Sequence, residues 1–423
     1  AAKARGRGCS AFLFACLRLR PIRGFAGLAI LLLPVMLGGG CRGIPTAGER
    51  AARRDVQAVA EAYQRLPGRA AFSGLKASSG LGEFLVFAIR NQPQVEAAYF
   101  DWVASVERIT QERSLPDPRL TFQMDIQDVV LSLMPGLMAE IPGPGKLGRR
   151  ADLASAESRA KYFAFESAVL QAAFAFKQAY YQIHFLAEKI RISRETLELA
   201  KDLEQIARKQ NEVGKVTLQD VLRVQIEQDR LQNEITNLED SRQPRLAQLK
   251  AALGLAPAEL DPPVPAKLET TPLDLTFEQV LATAFARNPR LQAMESEVRR
   301  AAIALKLADQ ARLPDFSSVV EVDARATPAM VRPSLGISLP IWRDKIAALI
   351  AEAQAEKRAA EARLSGERIA LAVELAGKSF LYREASRNLA LYQDALLPKA
   401  KLSLEVARAG YPSGQIDFFN LID

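Results

Sequence analysis

Histidine occurs once in 423 residues, at His184, and cysteine three times, at Cys9, Cys16 and Cys41. A lone imidazole cannot supply the several clustered ligands of a metal site within one chain, although three copies could meet on a threefold axis. His184 lies in "YYQIHFLAEK", where a packing or solvent-facing helix position is the simpler reading. It also leaves no second Ser/His/Asp grouping to consider. All three cysteines precede residue 42, so the remaining chain holds no disulfide framework and no thiolate metal site. No Walker sequence occurs, and no G-x-G-x-x-G follows a strand pattern. These absences argue against an enzyme, and no cofactor is implied.

Acid is missing from the first 40 residues, which contain Lys3, Arg5, Arg7, Arg18, Arg20 and Arg23. Without these six the formal net charge of +7 falls to +1, so the basic balance belongs to the N-terminus. No basic–aromatic stripe follows, and nucleic acid is not an expected partner. The apolar run "GFAGLAILLLPVML", residues 24–37, falls short of the ~20 residues of a spanning helix. A basic region, a short apolar run and the small residues "GGGC" describe a secretory leader, residues 1–40. The run ending in Cys41 resembles a bacterial lipoprotein signal, with Gly38 where that signal usually has Leu. Cys41 is then either the lipidated N-terminus of the mature chain or a free cysteine beside an ordinary cleavage point.

Beyond a mixed arm or linker, residues 41–80, the chain repeats itself. "FLVFAIRNQPQVEAAYFDWVASVERITQERSLPDPRLTFQ" begins at Phe84, and "FEQVLATAFARNPRLQAMESEVRRAAIALKLADQARLPDFSSVV" at Phe277. Each has a helical pattern, an Asn near a Pro, a second helix, then Leu-Pro-Asp. Asn288 and Pro289 suit an N-cap and first helical position. Copy one carries Gln92 as an extra residue between Asn91 and Pro93. After Leu-Pro-Asp the period becomes two, as in Leu120, Phe122, Met124 and Ile126, or Leu335, Ile337 and Leu339. This predicts strands near 119–127, 130–141, 316–325 and 332–340. Pro135 and Gly136 interrupt the second.

Neither Gly nor Pro occurs from Arg149 to Val213, a stretch that as one helix would run ~100 Å. Ile192, Leu199, Ile206 and Val213 stand seven apart within it, which is coiled-coil spacing. Gly214 should end this helix. A return helix should then run to about Leu253, with Val224, Leu231 and Leu238 as its seam. Copy two has Gly366, Gly377 and Pro398 in the equivalent long stretch, and a bend is expected near Pro398. Its hairpin turn falls at Gly414. Copy one continues past its turn to Leu253, whereas the sequence stops at Asp423, so copy two is expected to be cut short. The domains are thus 81–255 and 276–423, joined by a linker at 256–275.

Four strands per chain cannot close a membrane barrel, which starts at eight. Three chains would supply twelve. The fold class is mainly α with a small β part: two tandem repeats, coiled-coil hairpins and two β-hairpins. The rival is a periplasmic coiled-coil structural or adaptor protein with no pore. An adaptor should pair one helical hairpin with a compact β module, and this chain has two full copies of its own pattern.

The repeated Asn-Pro helix start, the Leu-Pro before each strand pair, "PGPGKLGRR", "ALLPKAKLSLEVARAGY" and the two glycine-led hairpins carry a resemblance. In that order, over about residues 80–423, they resemble the outer-membrane efflux protein family of TolC-like ducts, especially its lipoprotein-type members. The resemblance implies a homotrimer in the outer membrane, with a twelve-stranded barrel continued by a helical barrel in the periplasm. It implies an inner-membrane pump and a periplasmic adaptor as partners, with outer-membrane lipid around the barrel. Gly214, Lys215, Gly414 and Gln415 match the hairpin turns where the adaptor docks. Asp220, Asp417, Asn420 and Asp423 match the periplasmic gate, with Arg223 beside them. Asn420 stands where the family often has a second carboxylate. Each acid could equally be a solvated helix-start residue favoured by the helix dipole.

Overall fold

A computed structural model describes residues 43–63, 75–76, 78–126, 130–259, 261–264, 268, 275–323 and 326–410. The chain divides into Ala1–Pro45 and Thr46–Asp423, and the account below concerns the second unit. It opens on helix α1 (Ala47–Tyr63). Copy one then runs α2 (Leu81–Asn91), α3 (Pro93–Arg113), β1 (Arg119–Ile126), β2 (Val130–Ile141), α4 (Lys146–Glu212), α5 (Leu218–Asp240) and α6 (Arg242–Ala252). Copy two runs α7 (Phe277–Arg287), α8 (Pro289–Asp309), β3 (Asp315–Asp323), β4 (Met330–Ser338), α9 (Arg343–Leu391) and α10 (Leu397–Gly410).

Both copies bend between their first two helices at one residue followed by Pro at the first helical position. In copy two Asn288 caps α8, its Oδ1 accepting from Arg290 N at 2.9 Å. In copy one the hinge residue is Gln92, not Asn91, which is the last residue of α2. Gln92 is therefore the counterpart of Asn288 and no extra residue exists. Pro93 and Pro289 stand 196 positions apart, as do Arg119 and Asp315. The Gln92 side chain reaches α6 instead of capping, donating to Ala251 O at 3.3 Å. Gly254, with φ +73°, ends α6 against that hinge, where a Cβ would collide with the Asn91 carbonyl.

The four strands form one antiparallel sheet in the order β1-β2-β3-β4. The two hairpins are thus joined through β2 and β3, from Gly136↔Glu321 to Ile141↔Phe316. Pro135 does not break β2, because it stands just where the pairing with β3 stops. Gly136 is needed there. A Cβ would lie 2.7 Å from both Thr121 Oγ1 and Glu321 Cγ.

Helix α4 packs against α3, α5, α6 and α8. Its expected heptad row is not its buried seam. Ile192 and Val213 are 52% and 66% exposed, and only Leu199 and Ile206 are partly covered. The row buried along this stretch runs through Ser193, Leu197, Leu203 and Ala207. Small side chains at Ser193 and Ala207 allow the close approach of two helices, which larger residues would prevent. The return helix has the expected seam, with Val224 buried and Leu231 and Leu238 half-buried. It is not continuous to Leu253, however, but stops at Asp240 and restarts at Arg242. Pro244 explains the break. It has no N–H to continue the ladder, and it sits in the first turn of α6, where none is needed.

Gly366 and Gly377 leave α9 unbroken. Ahead of Pro398 the helix opens into a π turn, Tyr392–Leu396, before resuming as α10. A wider turn accommodates the proline that a regular helix would exclude.

Candidate functional site

The sheet has two chemically different faces. One carries Leu120, Phe122, Leu137, Ile141, Phe316, Val320, Leu335 and Ile337, all exposed, with Leu335 at 86%. The register aligns Leu120 with Leu137, Leu137 with Val320, and Phe316 with Ile337, so these residues form continuous apolar rows. The other face carries Thr121, Gln123, Glu140, Ser317, Glu321, Arg332 and Ser334, alternating with the first set. Apolar rows on the outside of a sheet suit lipid, and polar rows suit water. β1 and β4 are edges with no further strand beside them among the described residues.

At the sheet's helix-side end, the two copies are fastened by a bond set that sequence reading did not find. Gly145, with φ +79°, turns the chain into α4. This places Lys146, buried at the helix start, with Nζ 2.9 Å from Leu313 O and 2.8 Å from Asp315 Oδ1. Gly143 N also donates to Asp315 Oδ1, at 2.6 Å. The motif "PGPGKLGRR" and the second Leu-Pro-Asp therefore meet, although 169 positions separate Lys146 from Asp315. Asp315→Ala would leave the Lys146 ammonium buried with a single carbonyl. The expected loss is ~2 kcal/mol, below the usual cost of breaking a buried pair because Asp315 is half-exposed. A matching fall in the urea midpoint of the detergent-solubilised protein is the check.

At the far end of α4, Gly214 has φ +73° and Lys215 N donates to Gln210 O at 2.9 Å, closing the helix. Asn211 Nδ2 holds the turn by donating to Val216 O at 2.8 Å. Thr217 and Asp220 then form a capping box that starts α5. Asp220 Oδ2 accepts from Thr217 N at 3.0 Å and from Thr217 Oγ1 at 2.7 Å. Asp220 thus has a defined structural task at the tip, while Lys215 and Arg223 are exposed. Farther up the hairpin, Glu204 accepts from Gln225 at 2.6 Å, Gln228 at 3.1 Å and Arg208 at 2.7 Å. These bonds, that from Gln225 foremost, hold its carboxyl below the usual carboxylate range. Ala407 of α10 packs into the same hairpin core as Leu203, Val221 and Val224.

Helix α1 is tied to α3 by charge. Glu49, 1% exposed, accepts from Thr110 at 2.7 Å and also binds Arg53 and Arg113. Arg53 in turn grips Glu107 with two 2.8 Å bonds. Burial pushes the Glu49 carboxyl up, but its bonds to Thr110, Arg113 and Arg53 outweigh that and hold it below the normal value. A depressed folded value contributes stability above the unfolded value, near 4.5, that is lost as pH falls through the folded one. Acidification below about pH 4 should therefore free α1 to protease, as scored by the cleavage pattern at graded pH. In Glu49→Gln the same cleavage should become less dependent on pH, with a remainder carried by the Arg53–Glu107 pair.

Of the residues read as functional from sequence, Gly214, Lys215 and Asp220 come together at one hairpin tip. Cys41, Gly414, Gln415, Asp417, Asn420 and Asp423 lie outside the described residues. His184 stacks edge-on against Tyr180, ring centroids 4.7 Å apart, as expected of a packing residue. Among the described residues no cluster of His, Cys, Asp and Glu could hold a metal ion, and no helix is long and apolar enough to cross a membrane.

The outer membrane efflux protein family model matches residues 85–255 and 280–419. No match was found among curated proteins. Among solved structures, the outer membrane protein VceC of Vibrio cholerae is 16% identical, covering 81% of this chain and 88% of its own, with TM-score 0.67. The CmeC outer membrane channel of Campylobacter jejuni is 14% identical, covering 81% and 78%, with TM-score 0.65. The MtrE outer membrane channel of Neisseria gonorrhoeae is 16% identical, covering 84% and 87%, with TM-score 0.62. The chain belongs to the outer membrane efflux protein family, and it is an efflux channel of the outer membrane extending into the periplasm, not an enzyme.

Proposed function

We propose that this channel is the passive exit duct of a tripartite efflux system and that it works as a homotrimer. The sheet carries this reading. It has one lipid-suited face, two open edges and too few strands to close alone. Three copies joined β4 to β1 give a closed twelve-stranded ring through a head-to-tail interface. The long hairpins continue the ring as a helical tube. An inner-membrane pump supplies the energy, and a periplasmic adaptor docks at the turns around Gly214, Lys215, Gly414 and Gln415. Asp220, Asp417, Asn420 and Asp423 border the constriction, where threefold repetition turns each carboxylate into a ring that attracts cations. Cys41 carries the lipid anchor, supported by the apolar run and "GGGC" before it. Loss of palmitate labelling in Cys41→Ser would be the sign of it.

Planar-bilayer recording of the purified protein tests the duct. Channels with a cross-linked mass of three copies are expected, and recovery as a soluble periplasmic monomer would sink the reading. Asp423→Ala should raise single-channel conductance or weaken block by divalent cations. Unchanged currents would remove Asp423 from the gate.

A further inference from the structure

The apolar rows of the sheet do not stop where the sheet does. Beyond β4 the exposed residues Leu339 and Ile341 continue the row of Leu335 and Ile337, and Trp342 follows at 72% exposure. Arg343 and Lys345, both exposed, come directly after it at the start of α9, with exposed Asp344 between them, so the corner carries a net charge of +1. Neither makes an ion pair among the described residues, whereas Arg290, Arg300 and Arg368 elsewhere in copy two all do. The matching corner of copy one carries exposed Arg150. An indole next to apolar side chains, with unpaired cations immediately beyond, is the composition of a membrane–water boundary. The corner is also continuous with the lipid-facing rows and lies at their periplasmic end.

We propose that this β4–α9 corner is a binding surface for anionic phospholipid headgroups of the periplasm-facing leaflet. Trp342 sits at headgroup level, Leu339 and Ile341 reach the acyl chains, and Arg343 and Lys345 meet the lipid phosphate. The inference rests on the outer-membrane placement given above. Charge complementarity selects the occupant: two unpaired cations outnumber Asp344 beside an apolar anchor, and the net positive charge favours an anionic lipid over a neutral one.

The protein carries its own reporter, since Trp342 is one of only two tryptophans and the other, Trp102, is buried. The full chain, reconstituted into phosphatidylcholine vesicles, is read by fluorescence with brominated lipids. Wild type should lose about half its emission, and Trp342→Phe almost none, as expected for an indole at the bilayer boundary. In competition, brominated phosphatidylglycerol should outcompete phosphatidylcholine at Trp342 by about fivefold, falling to near unity in the Arg343→Gln/Lys345→Gln double variant. Incorporated protein with no quenching beyond that of Trp342→Phe would overturn the proposal. It would place Trp342 against a second copy or the lumen and leave the channel reading standing. Quenching without preference for the anionic lipid would overturn the headgroup site. Failure to incorporate at all would sink the membrane placement together with it.

Discussion

Leu335→Arg is expected to keep the protein out of the outer membrane. Leu335 is the most exposed apolar residue of the sheet among the described residues and lies within β4, on the face whose rows run across all four strands. An arginine on the lipid face of a barrel costs ~2–4 kcal/mol near mid-membrane. The proposed trimer would bear that cost three times, ~6–12 kcal/mol, which is comparable to the ~5–15 kcal/mol on which most folds stand. Ser334→Arg, one residue away on the opposite face, should assemble normally and alter only conductance. Separation of membranes on a density gradient, with bilayer recording of whatever inserts, checks both. Equal behaviour of the two variants would mean that the faces have been assigned the wrong way round.

Trp102→Ala should remove ~3–5 kcal/mol of stability, the usual cost of truncating a large aromatic residue in a core. Trp102 is 1% exposed and welds α3 to α4, its ring 4.9 Å from Tyr162 and stacked 5.9 Å from Phe165. The loss should spread to α1, because Ala52, Val56 and Val59 pack on the same cluster. Early protease cleavage between α1 and α2, ahead of global unfolding, is the expected signature. Trp102→Phe refills most of the volume and should recover most of the resistance. Resistance equal to wild type in the alanine variant would show that the cluster collapses without cost.

Both predictions use features that differed in how legible they were. The strands were readable because alternation at Leu335 and Ile337 reports a local property, the side of a sheet on which a side chain falls. Helix starts at Pro93 and Pro289 were readable for the same reason. The heptad of Ile192 and Val213 misled because apolar spacing shows which residues need cover, not which neighbour covers them. A helix of 67 residues that meets six others changes partner along its length. The Lys146–Asp315 fastening was invisible, since no local pattern relates positions 169 apart. Gln92 was misplaced because Asn is the better cap, and the hinge was assigned by chemistry when the offset of 196 already located it.

The sheet order has a consequence for what the cell displays. All four strands connect to helices at the periplasmic end, so the turns from β1 to β2 and from β3 to β4 belong to the opposite end. An antibody or phage approaching from outside would meet these two connections in each copy, since connections at such ends are the exposed parts of a barrel. Immune selection would act there first, and those two connections are where an epitope tag should be tolerated best.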